Sequence, residues 1–309
     1  MRPLLEALEQ LGAEFEFQEK PYSFPFTICG RREVSCGKVE LNIDASSQFL
    51  SALLLSSVLV KDGFLVQLTG KRDAKAYVKI SMKMMEEFGC TMEQESENEY
   101  RLLPGQRYYA REYQIEPDVS AACYFYAMAA VSGGTAMVDY VKFDSTQGDI
   151  KFLKVLEQMG CSLEETEKGI RLTGTGTLHG VDVKMSDFSD QTMTLAAVAV
   201  FADSQTKITG VAHIRRQESD RIAGIVTELR RLGIRCEEEE DGITIYPGGI
   251  AAGEHNPVVV QTYEDHRMAM AFAIIGTRVP GIIIDNPMCC SKTFEKYFDI
   301  LTNLHLRLE

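Results

Sequence analysis

The sequence predicts an α/β protein of repeated βαβαββ units arranged in two domains. Three observations lead there. The chain has 309 residues, enough for two full cores. Amphipathic helices ending in glycine recur along it at a near-constant interval. A second series of aspartate-led apolar helices runs between them at the same interval. Residues 4–11, 78–88, 152–159 and 222–232 carry apolar side chains at helical spacing and end at Gly12, Gly89, Gly160 and Gly233. Those glycines lie 77, 71 and 73 residues apart. Asp44, Asp118, Asp190 and Asp265 open the second series, 74, 72 and 75 residues apart. Two independent series sharing one period define a repeat.

Each first-series helix leads into an acid-rich alternating strand and a turn. The clearest hairpin is 234–238 and 243–246 around Asp241-Gly242, and 161–165 with 170–173 around Lys168-Gly169 repeats it. Each second-series helix is apolar nearly all round, which predicts burial among sheets. Strands follow at 64–68, 135–138, 206–209 and 282–284. The lead-in Thr146-Gln147-Gly148-Asp149 marks the change from one group of units to the next, dividing 1–146 from 147–309. Counting back from Gly12 as far as Glu218 and Arg221 precede Gly233 passes Met1, so the first unit is expected to lack its lead-in and the first domain to be incomplete.

Composition excludes several classes of function. Apolar residues make up 45% and charged residues 25%, ordinary for a folded domain. A net charge of −13 argues against a general nucleic-acid or membrane surface. An anionic ligand must then be held by a few local Arg and Lys side chains. Eight cysteines show no CxxC or Cys/His metal spacing, so reduced, mostly buried thiols and no metal are expected. No apolar run approaches a membrane span and no signal peptide opens the chain. A cytoplasmic protein is expected.

Chemistry concentrates at the helix starts. Gln217-Glu218-Ser219-Asp220-Arg221 crowds two acids and an arginine into a first turn, where free N–H groups and the helix dipole favour anions. Ser46-Ser47-Gln48 offers two hydroxyls and an amide at another start, suited to a phosphate or to sugar-like hydroxyls. Asp190 opens a third. Simple capping explains each of these taken alone. Asp265-His266-Arg267 is more telling, because a cation at a helix start is disfavoured unless an anion binds there. Lys292 follows a strand ending at Asp285 and can reach the same region.

Taken in order, Ser46-Ser47-Gln48-Phe49-Leu50, Gln147-Gly148-Asp149-Ile150, Glu218-Ser219-Asp220-Arg221, Asp265-His266-Arg267-Met268-Ala269-Met270 and Lys292-Thr293-Phe294 resemble the EPSP synthase (3-phosphoshikimate 1-carboxyvinyltransferase) family over nearly the whole chain. The resemblance implies an inside-out α/β barrel of six βαβαββ units in two domains, about a third of which is expected to be absent here. It implies transfer of the enolpyruvyl group of phosphoenolpyruvate to the 5-hydroxyl of shikimate 3-phosphate, by addition and elimination without metal or organic cofactor. That reaction belongs to the shikimate pathway, leading to chorismate and the aromatic amino acids. By resemblance Asp190 is the base for the attacking hydroxyl, and Glu218 exchanges a proton with the methylene. Arg221, Arg267 and Lys292 hold phosphoenolpyruvate, with Lys292 among the catalytic groups and His266 beside them. Ser46, Ser47, Gln48 and Tyr77 hold shikimate 3-phosphate, His213 and Gln217 are further substrate-binding positions, and domain closure assembles the whole.

Some positions depart from the family pattern. Gln217 stands where Lys is usual, Ala74 where Ser is usual, and His213 where Asn is common. An N-terminal lysine and arginine, a Gly-rich segment and a further arginine have no counterpart here. Losing one buried charge-assisted contact costs about 2–5 kcal/mol, so little or no turnover is expected of this chain alone. Two alternatives stay open: a non-catalytic fragment needing its N-terminal part in trans, or an enolpyruvyl transferase acting on UDP-N-acetylglucosamine. The partly built first domain is expected to self-associate through exposed apolar surface.

Overall fold

The computed structural model describes residues 1–30, 34, 37–44, 46–70 and 75–304, with only the backbone at 75 and 76. Ala74 lies outside the described residues. The contacts divide the chain into two units, Met1–Gln114 and Ile115–Glu309.

In the first unit, helix α1 (Arg2–Gln10) is followed by the antiparallel pair β1 (Glu14–Phe17) and β2 (Phe26–Cys29). Then come β3 (Lys38–Asn42), α2 (Gln48–Ser56), β4 (Phe64–Thr69), α3 (Lys75–Glu87), β5 (Met92–Ser96) and β6 (Glu99–Leu102). The sheet runs β3-β4-β6-β5, with β3 parallel to β4 and the other pairs antiparallel. Strict alternation explains the inward face, with Val39 and Leu41 of β3 and Phe64, Val66 and Leu68 of β4 buried. They meet Leu50, Leu53 and Leu54 of α2 and Val78 and Met85 of α3. The Ser81 hydroxyl donates to Ser51 Oγ at 2.9 Å, joining α3 to α2.

The second unit repeats that grammar. It contains α4 (Val119–Ser132), β7 (Thr135–Asp139), α5 (Lys151–Gln158), β8 (Ser162–Glu165), β9 (Gly169–Thr173) and β10 (Asp182–Lys184). It continues with α6 (Thr192–Ala199), β11 (Thr206–Thr209), α7 (Arg221–Arg231), β12 (Arg235–Glu239), β13 (Gly242–Tyr246) and β14 (Val258–Val260). Helix α8 (His266–Gly276), β15 (Ile282–Ile284), α9 (Ser291–Phe294) and α10 (Tyr297–Asn303) complete it. Its four-stranded sheet, β10-β11-β13-β12, has the connectivity and the parallel-then-antiparallel pairing of the sheet in the first unit. A three-stranded sheet, β7-β9-β8, and a parallel pair, β14-β15, accompany it. Helices α4, α6 and α8 are the second-series helices, and they pack on one another as the centre of the core.

The period is therefore structural. Gly12, Gly89, Gly160 and Gly233 end α1, α3, α5 and α7 with φ of 91, 93, 112 and 84°, the left-handed conformation that terminates a helix at least cost with glycine. The boundary expected between 146 and 147 differs from the observed division at Gln114–Ile115. Gln147 and Asp149 are ties within the second unit. The Gln147 Oε1 accepts the Val119 amide at 2.9 Å, and Ser120 Oγ donates to Asp149 Oδ2. Those bonds and the burial of α4 against α6 and α8 draw residues 115–146 into this unit.

No helix among the described residues is long and apolar enough to cross a membrane. Cys90, Cys123, Cys161, Cys236 and Cys290 are buried free thiols.

Candidate active site

Three helix starts of the second unit converge on Asp190. It lies in the short 3-10 turn Ser189–Gln191 that leads into α6. Arg221, the first residue of α7, is 3% exposed. Its Nη1 donates to Asp190 Oδ1 at 3.2 Å and also to Gln217 Oε1. Its Nε and Nη2 reach Asp265 Oδ2 and Oδ1 at 2.8 and 3.3 Å, a bidentate grip. Arg267 on the first turn of α8 donates from Nη2 to Asp190 Oδ2 at 2.9 Å. The second carboxylate, Asp265, is fully buried and caps α8 by accepting the Arg267 amide at 3.0 Å. Ser219 Oγ adds a hydrogen bond to it at 3.1 Å.

This resolves the cation at a helix start. The dipole cost of Arg267 is offset by the protein's own anions, Asp190 and Asp265. Burial alone raises the pKa of Asp265, but hydrogen bonds and charge from Arg221 outweigh it and hold the carboxyl below its ordinary value. The side chain of Gln217 turns back onto Arg221, a role its carbonyl fills and an ammonium cannot.

Beside this network stands a second one. Glu218 Oε2 accepts from Lys292 Nζ at 2.8 Å and faces His266 Nδ1 at 3.0 Å. His266 is almost wholly buried, which pushes its pKa below the ordinary value against the pull of Glu218. Its neutral form is thus favoured at neutral pH. His213 Nε2 lies 2.8 Å from Ser189 Oγ, next to Asp190. Asp190, His213, Gln217, Glu218, Arg221, His266, Arg267 and Lys292 are therefore gathered in one unit.

Ser46, Ser47, Gln48 and Tyr77 lie in the first unit, at the starts of α2 and α3. Ser47 is the N-cap of α2 and is buried, yet its side chain makes no capping bond. Instead Ser46 Oγ accepts the Gln48 amide at 3.2 Å. Capping thus accounts for Ser46 and leaves Ser47 unexplained. Tyr77 is half exposed, one turn before Ser81, whose bond to Ser51 marks where α3 meets α2.

The site includes several residues whose local sequence does not mark them. Asp265 has the local pattern of a helix opener, and its place in the aspartate series with Asp190 is the signal for more. Ser219 and Asp149 fall within the motifs of the resemblance, which give them no role. Asp149 is buried and accepts from Ser120 and Gln191, and burial pushes its carboxyl above the ordinary value. Tyr124 of α4 is buried beside Arg267 and lines a cavity of about 60 Å³ with Asp118, Ser120, His266 and Phe294; nothing in its sequence context indicated this.

Chemically, the arrangement presents two guanidinium groups and an ammonium around three carboxylates, suited to binding an oxyanion beside groups that move protons. Glu218, Asp265 and His266 also bring potential metal-ligand atoms within 4.8 Å of one another. Lys292 and Arg221 already neutralise those carboxylates, which disfavours a further cation there.

Residues 1–301 match the family model of EPSP synthase (3-phosphoshikimate 1-carboxyvinyltransferase). The 3-phosphoshikimate 1-carboxyvinyltransferase of Trichormus variabilis is 43% identical over 298 residues, 96% of this chain and 68% of that protein. The 3-phosphoshikimate 1-carboxyvinyltransferase 2 of Halalkalibacterium halodurans is 36% identical over all of this chain and 68% of its own length. The solved EPSP synthase of Acinetobacter baumannii superposes with a TM-score of 0.81 at 26% identity, covering 100% of this chain and 71% of that one. With the family model spanning both units and relatives alike along nearly all its length, the chain belongs to the EPSP synthase family.

Proposed function

We propose that this chain carries the proton-transfer and phosphoenolpyruvate-binding groups of enolpyruvyl transfer to shikimate 3-phosphate, yielding 5-enolpyruvylshikimate 3-phosphate and phosphate. One observation carries the reading. Asp190 is gripped by two arginines from different helices, Arg221 three residues after Glu218 and Arg267 next to His266, both of the Glu218–Lys292–His266 group.

In the addition step Asp190 takes the proton of the 5-hydroxyl, whose oxygen bonds to C2 of phosphoenolpyruvate while Glu218 delivers a proton to C3. In the elimination step Glu218 takes a proton back from that methyl group, the C2–O bond to phosphate breaks, and the departing phosphate takes up the proton that Asp190 holds. Arg221 and Arg267 receive the carboxylate and Lys292 the phosphate; an incoming anion competes with the internal ion pairs they now make. Ser46, Ser47, Gln48 and Tyr77 of the first unit hold shikimate 3-phosphate, and His213 and Gln217 are substrate-binding groups of the second unit. The family match favours this substrate over UDP-N-acetylglucosamine. The reaction uses no metal or organic cofactor, and the cell compartment is the cytoplasm.

Phosphate release with both substrates tests the reading; abolition by Asp190→Ala supports it, and undiminished release overturns it. A second reading, binding without turnover, is motivated by Gln217 at a position where the family usually has a lysine. Calorimetry separates the two, since phosphoenolpyruvate would then bind with no phosphate released. The partner for self-association is a second copy, through the β1–β2 hairpin. Its rings cluster (Phe15, Phe17, Phe26), while Phe24 and Ile28 are 66% and 49% exposed.

A further inference from the structure

Glu228 lies two turns along α7 from Arg221 and is fully buried. A buried carboxylate is costly unless its oxygens are satisfied. Here Oε1 accepts from the Tyr263 hydroxyl at 2.7 Å and Oε2 from the Gln261 amide at 3.0 Å, with Arg231 Nη1 3.3 Å from Oε2. Two of its three partners belong to one short segment before α8.

That segment is strained. Tyr263 and Glu264 have φ of 56 and 58°. The Asp265 amide closes on the Thr262 carbonyl at 2.9 Å. Two consecutive left-handed residues closed in this way form a turn that ordinarily calls for Asn and Gly. With a Cβ at both positions it persists only when its surroundings over-determine it. They do. The Thr262 amide donates to Asp285 Oδ1 at 2.9 Å, and Asn286 Nδ2 donates to Glu264 Oε1 at 3.0 Å. The Tyr263 ring lies over α7 at Gly224, where an added Cβ would sit 3.4 Å from it. Burial and the bond to Glu228 push the Tyr263 hydroxyl up to about 12, so it remains a donor.

We propose that Glu228 and Tyr263 are positioning residues that hold this strained turn, and so set Asp265, His266 and Arg267 against Arg221 for anion binding. Helix α7 then carries both one arginine and the clamp that places the other. The proposal rests on the phosphoenolpyruvate reading only for its ligand. A clamp that merely adds stability is the alternative, and the two differ in what glycine at 264 would restore.

The test uses the full chain with Tyr263→Phe, and Glu228→Gln as a second variant. Tyr263→Phe should speed hydrogen exchange at the Gln261 and Asp265 amides while α7 stays protected. It should weaken phosphoenolpyruvate binding, read by calorimetry, by roughly tenfold to a hundredfold, the scale of a small misplacement. Adding Glu264→Gly, which relieves the strain, should recover both. Unchanged affinity, or loss without recovery, overturns the proposal. If the unaltered chain binds no phosphoenolpyruvate, the ligand reading falls by itself. In that case faster exchange reversed by Glu264→Gly still supports the clamp, and unchanged exchange overturns it.

Discussion

At the scale of single residues, Asp265 ties the most groups together: both ends of the Arg221 guanidinium fork, the Ser219 hydroxyl and the Arg267 amide. Removing one partner of a buried pair leaves the other charge uncompensated. Asp265→Ala should therefore cost about 3–5 kcal/mol in urea unfolding. His266 bears on pH. Its folded-state pKa is depressed by burial, so between the ordinary value and the lower folded one the unfolded chain binds more protons. Stability then falls as pH drops through that window. His266→Gln lacks this term, and the wild type should lose stability relative to it on acidification from neutral pH. Denaturant titrations on either side of the window would show the gap changing. The Asp265 contribution behaves separately, because a depressed carboxyl loses its contribution only below its ordinary range.

At the scale of elements, the helix starts combine local capping with chemistry. Asp220 caps α7 by accepting the Ala223 amide at 3.0 Å, one residue before Arg221. Asp220→Ala should cost about 1 kcal/mol of stability, while its exposed pair with Arg215 adds little. Phosphate release should fall less than with Asp190→Ala, since no site contact is removed. The helix ends are constrained as tightly. At Gly233 φ is 84° and a Cβ would lie 2.7 Å from the Gly249 carbonyl oxygen. Gly233→Ala should lower the melting temperature, a strain and contact penalty of at least about 1 kcal/mol. Both series of helices were legible from the sequence because apolar spacing, capping aspartates and terminal glycines are local signals. The turn at Tyr263-Glu264 was not. It lacks Asn and Gly, and its conformation is imposed by Glu228, a residue far along the chain that reads as an ordinary polar helix position.

At the scale of the whole molecule, apolar surface remains on the first unit. Ile28 of β2 and Phe24 of the connection before it are exposed on a two-stranded sheet, an arrangement that invites edge pairing or ring packing. Sedimentation should show mass rising with concentration, and Phe24→Glu should return the chain to monomer. A monomer throughout would remove the second copy as partner. The sequence by itself determined the α/β class, the period and the placing of both series of helices, since these depend on neighbours within a few turns. Tertiary structure alone decided that residues 115–146 join the second unit, because α4 is buried against α6 and α8. It alone decided that Asp190 lies between Arg221 and Arg267 and that Glu228 is a buried clamp. Those facts depend on side chains far apart in sequence meeting where water is excluded, and periodicity contains no record of such meetings.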